Sequence, residues 1–238
     1  MTASACPSGF VPVTGRGGDH CCVRYRSDDD AWVVLRPAAT SDGIADRPAR
    51  LSRGVVVALV GPDGVGKTTL VDALVAALPL PVHRVHLGLW RRTGLSAALG
   101  NLPLMRTVLV LARLLAGAAG AAWHRRHAVV LLDRCAFDLD VEPAPRTARG
   151  RAIQALVRRL SPRPDVTVVL DAPARVLVQR KPEHSLAVAR RRREGYLSLV
   201  STRRAAAVVD TTADPAEATR AVTALLWRAL DDRHRSAA

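Results

Sequence analysis

Between Gly61 and Thr69 the chain reads GPDGVGKTT. Gly61, Gly66, Lys67 and Thr68 fit the spacing G-x-x-x-x-G-K-[ST]. Glycines at those positions let the backbone curl until several N–H groups converge on one anion. A helix starting at the loop's end adds partial positive charge at the same point. Lys67 is then placed to reach the β- and γ-phosphates of a nucleotide, and the Thr68 hydroxyl to hold magnesium. The lysine is informative because Lys67 and Lys181 are the only lysines among 35 basic residues. A chain that writes its cations as arginine has kept a compact point charge here. The competing reading is a glycine turn before an ordinary helix.

Further candidates lie downstream. Asp133 follows four apolar residues and reads as a carboxylate at the end of a strand, linked to magnesium or capping a helix. Arg134 beside it either serves the transferring phosphate or pairs with Asp138 or Asp140. Asp171 also ends an apolar run, as a second edge carboxylate or a cap. Arg180, Lys181 and the run Arg190–Arg193 form the densest basic segment. On a helix Arg190 and Arg193 share a face while Arg191 and Arg192 point elsewhere, so at most one or two can reach a phosphate: Arg180, and Arg190 or Arg193, are the expected ligands, and a solvated basic face is the alternative for most of the run. Trp90 and Phe137 are the aromatic surfaces available to a base or sugar, or else core. His83, His86, His124 and His127 lack carboxylate neighbours in sequence and read as surface or packing residues.

These residues need a frame to bring them together. Val55–Val60 is a wholly apolar, β-branched run suited to a central parallel strand. Lys67–Leu78 reads as a helix, with Leu70, Leu74 and Leu78 at spacing four and Pro79 and Pro81 closing it. Strands are expected at Val82–Leu87, Ala128–Asp133, Val166–Asp171 and Ala206–Asp210. Helices are expected at Leu104–His124, Arg149–Leu160, Ala174–Lys181, Ser185–Val200 and Pro215–Arg233. Strands alternating with helices predict an α/β fold: a parallel sheet covered on both faces, with ligands at the carboxyl edge of the strands.

Composition bounds the rest. The chain has 238 residues, 49% of them hydrophobic, and a formal net charge of +14. That is enough for one sizeable core with a small appendage. Residues 1–53 read as the appendage and a linker, with a hairpin of Cys21–Arg26 and Ala31–Arg36 around three aspartates; residues 54–238 carry the site. The positive charge admits an acidic partner, but aromatics are only 3%, too sparse for a base-stacking platform, so nucleic acid is not the expected partner. The four cysteines, Cys6, Cys21, Cys22 and Cys135, show no zinc spacing and read as reduced thiols in a cytoplasmic protein. No secretory signal is expected from MTASACPSGF. Leu102–Trp123 is strongly apolar, but Arg106 and Arg113 interrupt it, so it reads as a long buried helix rather than a membrane span, with a membrane-surface helix as the alternative.

With these motifs in order, the chain from about Gly54 onward resembles the thymidylate kinase family of P-loop nucleoside monophosphate kinases. The loop matches the family's G-x-[DE]-G-x-G-K-T-T form, and LLDRCAFD, RPDVTVVLDAPARVLVQRK, RRRREGYLSL and VVD follow in the family's order. The resemblance implies a three-layer P-loop fold with a five-stranded parallel sheet and a helical lid. It implies transfer of the γ-phosphate of ATP, with Mg2+, to a small phosphate acceptor, and a homodimer is compatible with it. Gly61, Asp63, Gly64, Val65, Gly66, Lys67, Thr68 and Thr69 would then bind the nucleotide, with Asp63 also meeting an acceptor hydroxyl. Arg134 would sit between donor and acceptor phosphates, Asp133 would support the metal with Thr68, and lid arginines would close on the transferring group. The sequence departs from the family where Cys135 replaces a tyrosine and where HLGLWRRTG replaces an Arg-Glu-Pro-Gly stretch. dTMP is therefore expected to be a poor acceptor. The alternatives are a kinase of a sugar or nucleoside, or a regulatory P-loop ATPase without a small acceptor.

Overall fold

The computed structural model describes residues 10–14, 20–26, 31–35, 50–51, 53–86, 103–133, 135–203, 205–212 and 214–236. Five parallel strands form the central sheet: β5 (Val56–Val60), β6 (Val82–His86), β7 (Val129–Asp133), β8 (Val166–Asp171) and β9 (Ala206–Asp210). Their spatial order is β6-β7-β5-β8-β9. The first of these strands in sequence therefore lies in the middle, and β5, β7 and most of β8 are buried on both faces. This is why they read as unbroken apolar runs rather than alternating ones.

Helices cover both faces. On one side α1 (Lys67–Ala77) and α7 (Pro215–Arg235) pack against Val57, Leu59, Leu131, Val168 and Leu170. On the other, α2 (Pro103–His124), α4 (Ala148–Leu160) and α6 (Leu186–Thr202) pack against Val56, Ala58, Val130 and Leu132. Two shorter helices, α3 (Asp138–Val141) and α5 (Ala174–Arg180), lie beyond the carboxyl ends of β7 and β8. Caps fix the starts of three helices: the Thr147, Ser185 and Asp214 side chains accept from backbone amides of α4, α6 and α7. Side chains such as Leu59, Leu74, Leu170 and Leu226 are fully buried, each contributing about 1.5–3 kcal/mol by leaving water.

The first fifty residues contribute more than a hairpin. β1 (Val11–Thr14), β2 (His20–Arg26), β3 (Ala31–Leu35) and β4 (Arg50–Leu51) form an antiparallel sheet of order β3-β2-β1-β4. The β2–β3 pair is the hairpin expected around the aspartates. Val11, Val13, Val23, Tyr25 and Leu51 join the same hydrophobic cluster as α1 and α7. Val11 and Val13 alternate with Pro12 along β1, so one face of the strand can turn inward. Cys22 is disulfide-bonded, which corrects the expectation of reduced thiols throughout. Cys135 is free and buried. Among the described residues no helix is long and apolar enough to cross a membrane.

Candidate active site at the carboxyl edge of the sheet

The glycine loop leaves the buried end of β5 and turns directly into α1. Gly61, Gly64 and Gly66 have φ of 153°, 85° and 92°, all disfavoured for a residue with a Cβ. Gly61 and Gly64 are also closely packed: a Cβ on them would lie 2.6 Å from the Leu170 carbonyl oxygen and 2.7 Å from that of Leu177. Gly66 differs. Among the described residues a Cβ there would meet nothing within 4 Å, so open space faces the residue that caps α1. The fully buried Val65 side chain anchors the loop to the core. Thr68 and Thr69 are exposed on the first turn of α1.

Lys67 is not the exposed cation that a surface loop suggests. It is 9% exposed, and its Nζ donates to the carbonyl oxygens of Gly61 (2.6 Å) and Pro62 (2.9 Å). The ammonium thus lies folded over the loop's own backbone, within the curl that a phosphate would enter. Curled backbone, open space at Gly66 and a buried ammonium fit a phosphate chain.

The neighbouring strand ends bring carboxylates to the same edge. Register pairs Asp133 with Leu59 and with His86, and Asp171 with Asp210. Asp133 is almost fully buried and accepts from Arg84 Nη2 (2.6 Å) and from His86 Nδ1 (3.1 Å). Burial by itself raises the Asp133 carboxyl, but the hydrogen bonds and charges of Arg84 and His86 together outweigh it and hold the group below the usual carboxylate range. Arg84 also reaches Asp72 of α1 at 3.1 Å, so it bridges helix and strand. The reading of His86 as a residue without a carboxylate partner is corrected by this contact. His83 and His124 do pack as expected, their rings stacked at 3.5 Å. Burial, then the nearby His124 and His127, push His83 down from its ordinary value.

For a divalent cation the donor set is thinner than for a phosphate. Asp133 is engaged by a guanidinium, the Thr68 hydroxyl stands exposed, and no group of three or more His, Cys, Asp or Glu among the described residues could hold a metal. A cation here would depend on oxygens brought by the phosphates themselves.

The basic helix α6 reaches this edge differently from the expectation. Arg193 makes a two-pronged contact with Asp171, Nε and Nη2 each donating at 2.7 Å. That hydrogen-bonded pairing raises the guanidinium above its already high ordinary value. Arg192, expected to point away, instead donates to Asp63 of the glycine loop (3.0 Å) and to Glu142 (3.0 Å), with His184 Nε2 at 3.1 Å. Arg190 is exposed, and Arg180 donates to the Thr211 carbonyl oxygen at 3.0 Å. Arg134, Trp90 and most of the HLGLWRRTG stretch lie outside the described residues. Arg84, which sequence reasoning missed, carried a signal. Arg84 and His86 stand two apart in a strand and so share a face. Arg192 had no comparable signal, since helical spacing alone cannot say which face of α6 meets the loop.

Beside the site, Cys135, Phe137, Arg158, Arg163, Thr167 and Arg203 help line a cavity of about 390 Å³. The Arg203 guanidinium lies 4.3 Å from the centre of the Phe137 ring, and Asp140 takes salt bridges from both Arg158 and Arg203. Burial, with Asp138 nearby, pushes the Cys135 thiol far up, so it is inert as a nucleophile.

No protein-family model matches the chain, and no curated protein matches it by sequence. Among solved structures it is similar to a thymidylate kinase from Candida albicans described as having broad substrate specificity. Identity is 14% and the TM-score 0.56, over 75% of this chain and 93% of that one. At that distance the likeness concerns the fold alone: a five-stranded parallel sheet flanked by helices, in the manner of P-loop NTPase folds.

Proposed function

We propose that the protein is an ATP-dependent phosphotransferase that passes the γ-phosphate of ATP to a small acceptor, most simply a nucleoside monophosphate. The observation that carries this reading is the glycine loop. Three glycines of disfavoured φ curl around the Lys67 ammonium at the carboxyl edge of the sheet, and Arg192 of α6 stands on Asp63 of that same loop. Phosphoryl transfer asks for positioning and for cations around spreading negative charge, with little covalent chemistry. Backbone amides of Gly64, Gly66 and Lys67 would take the phosphate chain. Lys67 would exchange its two carbonyl contacts for phosphate oxygens. Arg192 and Arg193 would supply charge from the lid side, with Arg134 between the two phosphates as the family resemblance implies. Thr68 is the residue of this chain suited to hold Mg2+, which would neutralise phosphate charge; Asp133 could support it only by loosening its contact with Arg84.

Measuring ADP release across nucleoside monophosphates, nucleosides and sugars tests the reading. ADP formation that appears only with one monophosphate, and vanishes in Lys67→Ala, is the expected result, with dTMP turned over poorly or not at all. ADP release without any acceptor, or only on adding a protein or nucleic acid, would replace the kinase by a regulatory ATPase.

A further inference from the structure

We propose that the amino edge of the sheet carries a second anion site, formed by Arg53, Arg125, Arg126 and Arg233, for a ligand bearing linked phosphates. The four guanidiniums line an open cavity of about 480 Å³ together with Ala122. It lies where β5, β7 and β8 begin, whereas the glycine loop follows the end of β5. A five-residue strand separates the two regions, roughly 16 Å at the usual rise per residue.

The backbone holds these arginines together. The Leu51 amide donates to the His127 carbonyl oxygen at 2.7 Å and the Gly54 amide to that of Arg125 at 3.0 Å. These two bonds lay Arg53 alongside the turn that carries Arg125 and Arg126. Asp165, just before β8, accepts from Arg125 (3.2 Å), from Arg233 (2.8 Å) and from the Val56 amide (2.8 Å). One carboxylate thus fixes two guanidiniums and leaves the cluster strongly positive. Arg53 and Arg126 have no carboxylate partner among the described residues, and Arg126 lies 5.8 Å from the ring centre of the exposed Trp123. Among the described residues the buried Nε atoms of Arg125 and Arg233 find no hydrogen-bond partner. The same field acts on His234: besides burial, Arg53 and Arg233 hold its ring below the ordinary value.

The chemistry of the ligand follows from the donors. Of the four guanidiniums Asp165 engages only those of Arg125 and Arg233, so one added carboxylate would still leave the cluster positive, and the planar forks match phosphate oxygens in pairs. A di- or triphosphate places several such oxygens within one open cavity. The phosphates could belong to a free polyphosphate or to a nucleotide whose base rests on Trp123.

Tripolyphosphate and ATP are titrated calorimetrically into the full-length protein at low salt, and arginine modification by phenylglyoxal is mapped with and without each. The expected result is two binding events. Lys67→Ala removes one of them. Arg53→Gln/Arg126→Gln weakens the other at least tenfold, with the thermal midpoint kept. Tripolyphosphate should also protect Arg53 and Arg126 from modification. Tighter binding of ATP than of tripolyphosphate at the second event assigns the site to a nucleotide, and the reverse order assigns it to free polyphosphate. If the double variant folds poorly, Arg126→Gln and the protection map decide. A single event, unchanged in the arginine variants, or unprotected Arg53 and Arg126, overturns the site. Loss of the Lys67-dependent event alone would count against the phosphotransferase reading and leave this one standing.

Discussion

The Arg192 guanidinium stands 3.0 Å from the Asp63 carboxylate, joining residues 129 positions apart in the chain. The contact ties the middle of α6 to the glycine loop. Its neighbours are a carboxylate and an imidazole, Glu142 and His184, so the guanidinium is held on three sides. Arg192, which helical spacing had left out of the expected phosphate ligands, therefore lies beside the loop, while Arg190 is exposed.

On the phosphotransferase reading, Arg192→Gln lowers turnover tenfold or more. Its effect on folding is small, because a part-exposed ion pair contributes about 0.2–1 kcal/mol. Arg190→Gln, at an exposed position, leaves turnover within a factor of two. Steady-state rates and thermal midpoints of the two variants check this. Equal damage from both, or damage from Arg190→Gln alone, would reverse the assignment.

The glycines of the loop separate conformation from space. Gly64→Ala meets both a positive φ and the Leu177 carbonyl oxygen, so it destabilises the fold by about 2 kcal/mol or more. Gly66→Ala meets only the φ of 92°, and costs roughly 1–2 kcal/mol. Yet its methyl projects into the open space next to Lys67, so ATP affinity should fall more in Gly66→Ala than its stability loss explains. Denaturant titration paired with calorimetry distinguishes the two. A Gly66→Ala protein binding ATP like the parent would show that this space receives no phosphate.

Much of this arrangement was legible in the sequence. β8 and β9 have the limits their apolar runs predict, and α2 starts within one residue of its expected position. Central parallel strands are bounded by loops rich in Gly, Pro and Asp, and that contrast is local. What the sequence could not supply was long-range pairing. Arg84 with Asp133, Arg192 with Asp63 and Arg193 with Asp171 join elements distant in the chain, and the choice among adjacent arginines depends on how α6 rolls on the sheet. The antiparallel sheet was only half visible, because β1 and β4 are too short to show a period.

Gly54 tests the seam between that sheet and the amino edge of the parallel sheet. A Cβ on Gly54 would overlap the Ala128 carbonyl oxygen, backbone against backbone just before β7. Neither partner is a flexible side chain, so Gly54→Ala must shift a strand, at a cost of roughly 1–3 kcal/mol or more. Chemical denaturation should show that loss at all pH values. A neutral Gly54→Ala would mean that the strands separate more easily than their packing implies.

Asp133 gives a pH signature of opposite character. Its folded-state carboxyl is held below the ordinary value chiefly because the hydrogen bonds from Arg84 and His86 outweigh burial. A depressed carboxyl contributes stability that is complete above the unfolded pKa, about 3.9, and is lost as pH falls through the lower folded value. Asp133→Asn should therefore be less stable than the parent by a nearly constant amount from pH 7 down to about 5, where both states are ionised. Below about pH 4 the gap should close, because the parent then loses the same interaction by protonation. Asp133 is buried but Arg84 is solvent-accessible and keeps its contact with Asp72, so the neutral-pH gap should be about 1 kcal/mol. Urea unfolding of parent and variant at several pH values measures it. A gap that widens on acidification would mean that Asp133 is protonated in the folded protein, and that Arg84 is held by Asp72 alone.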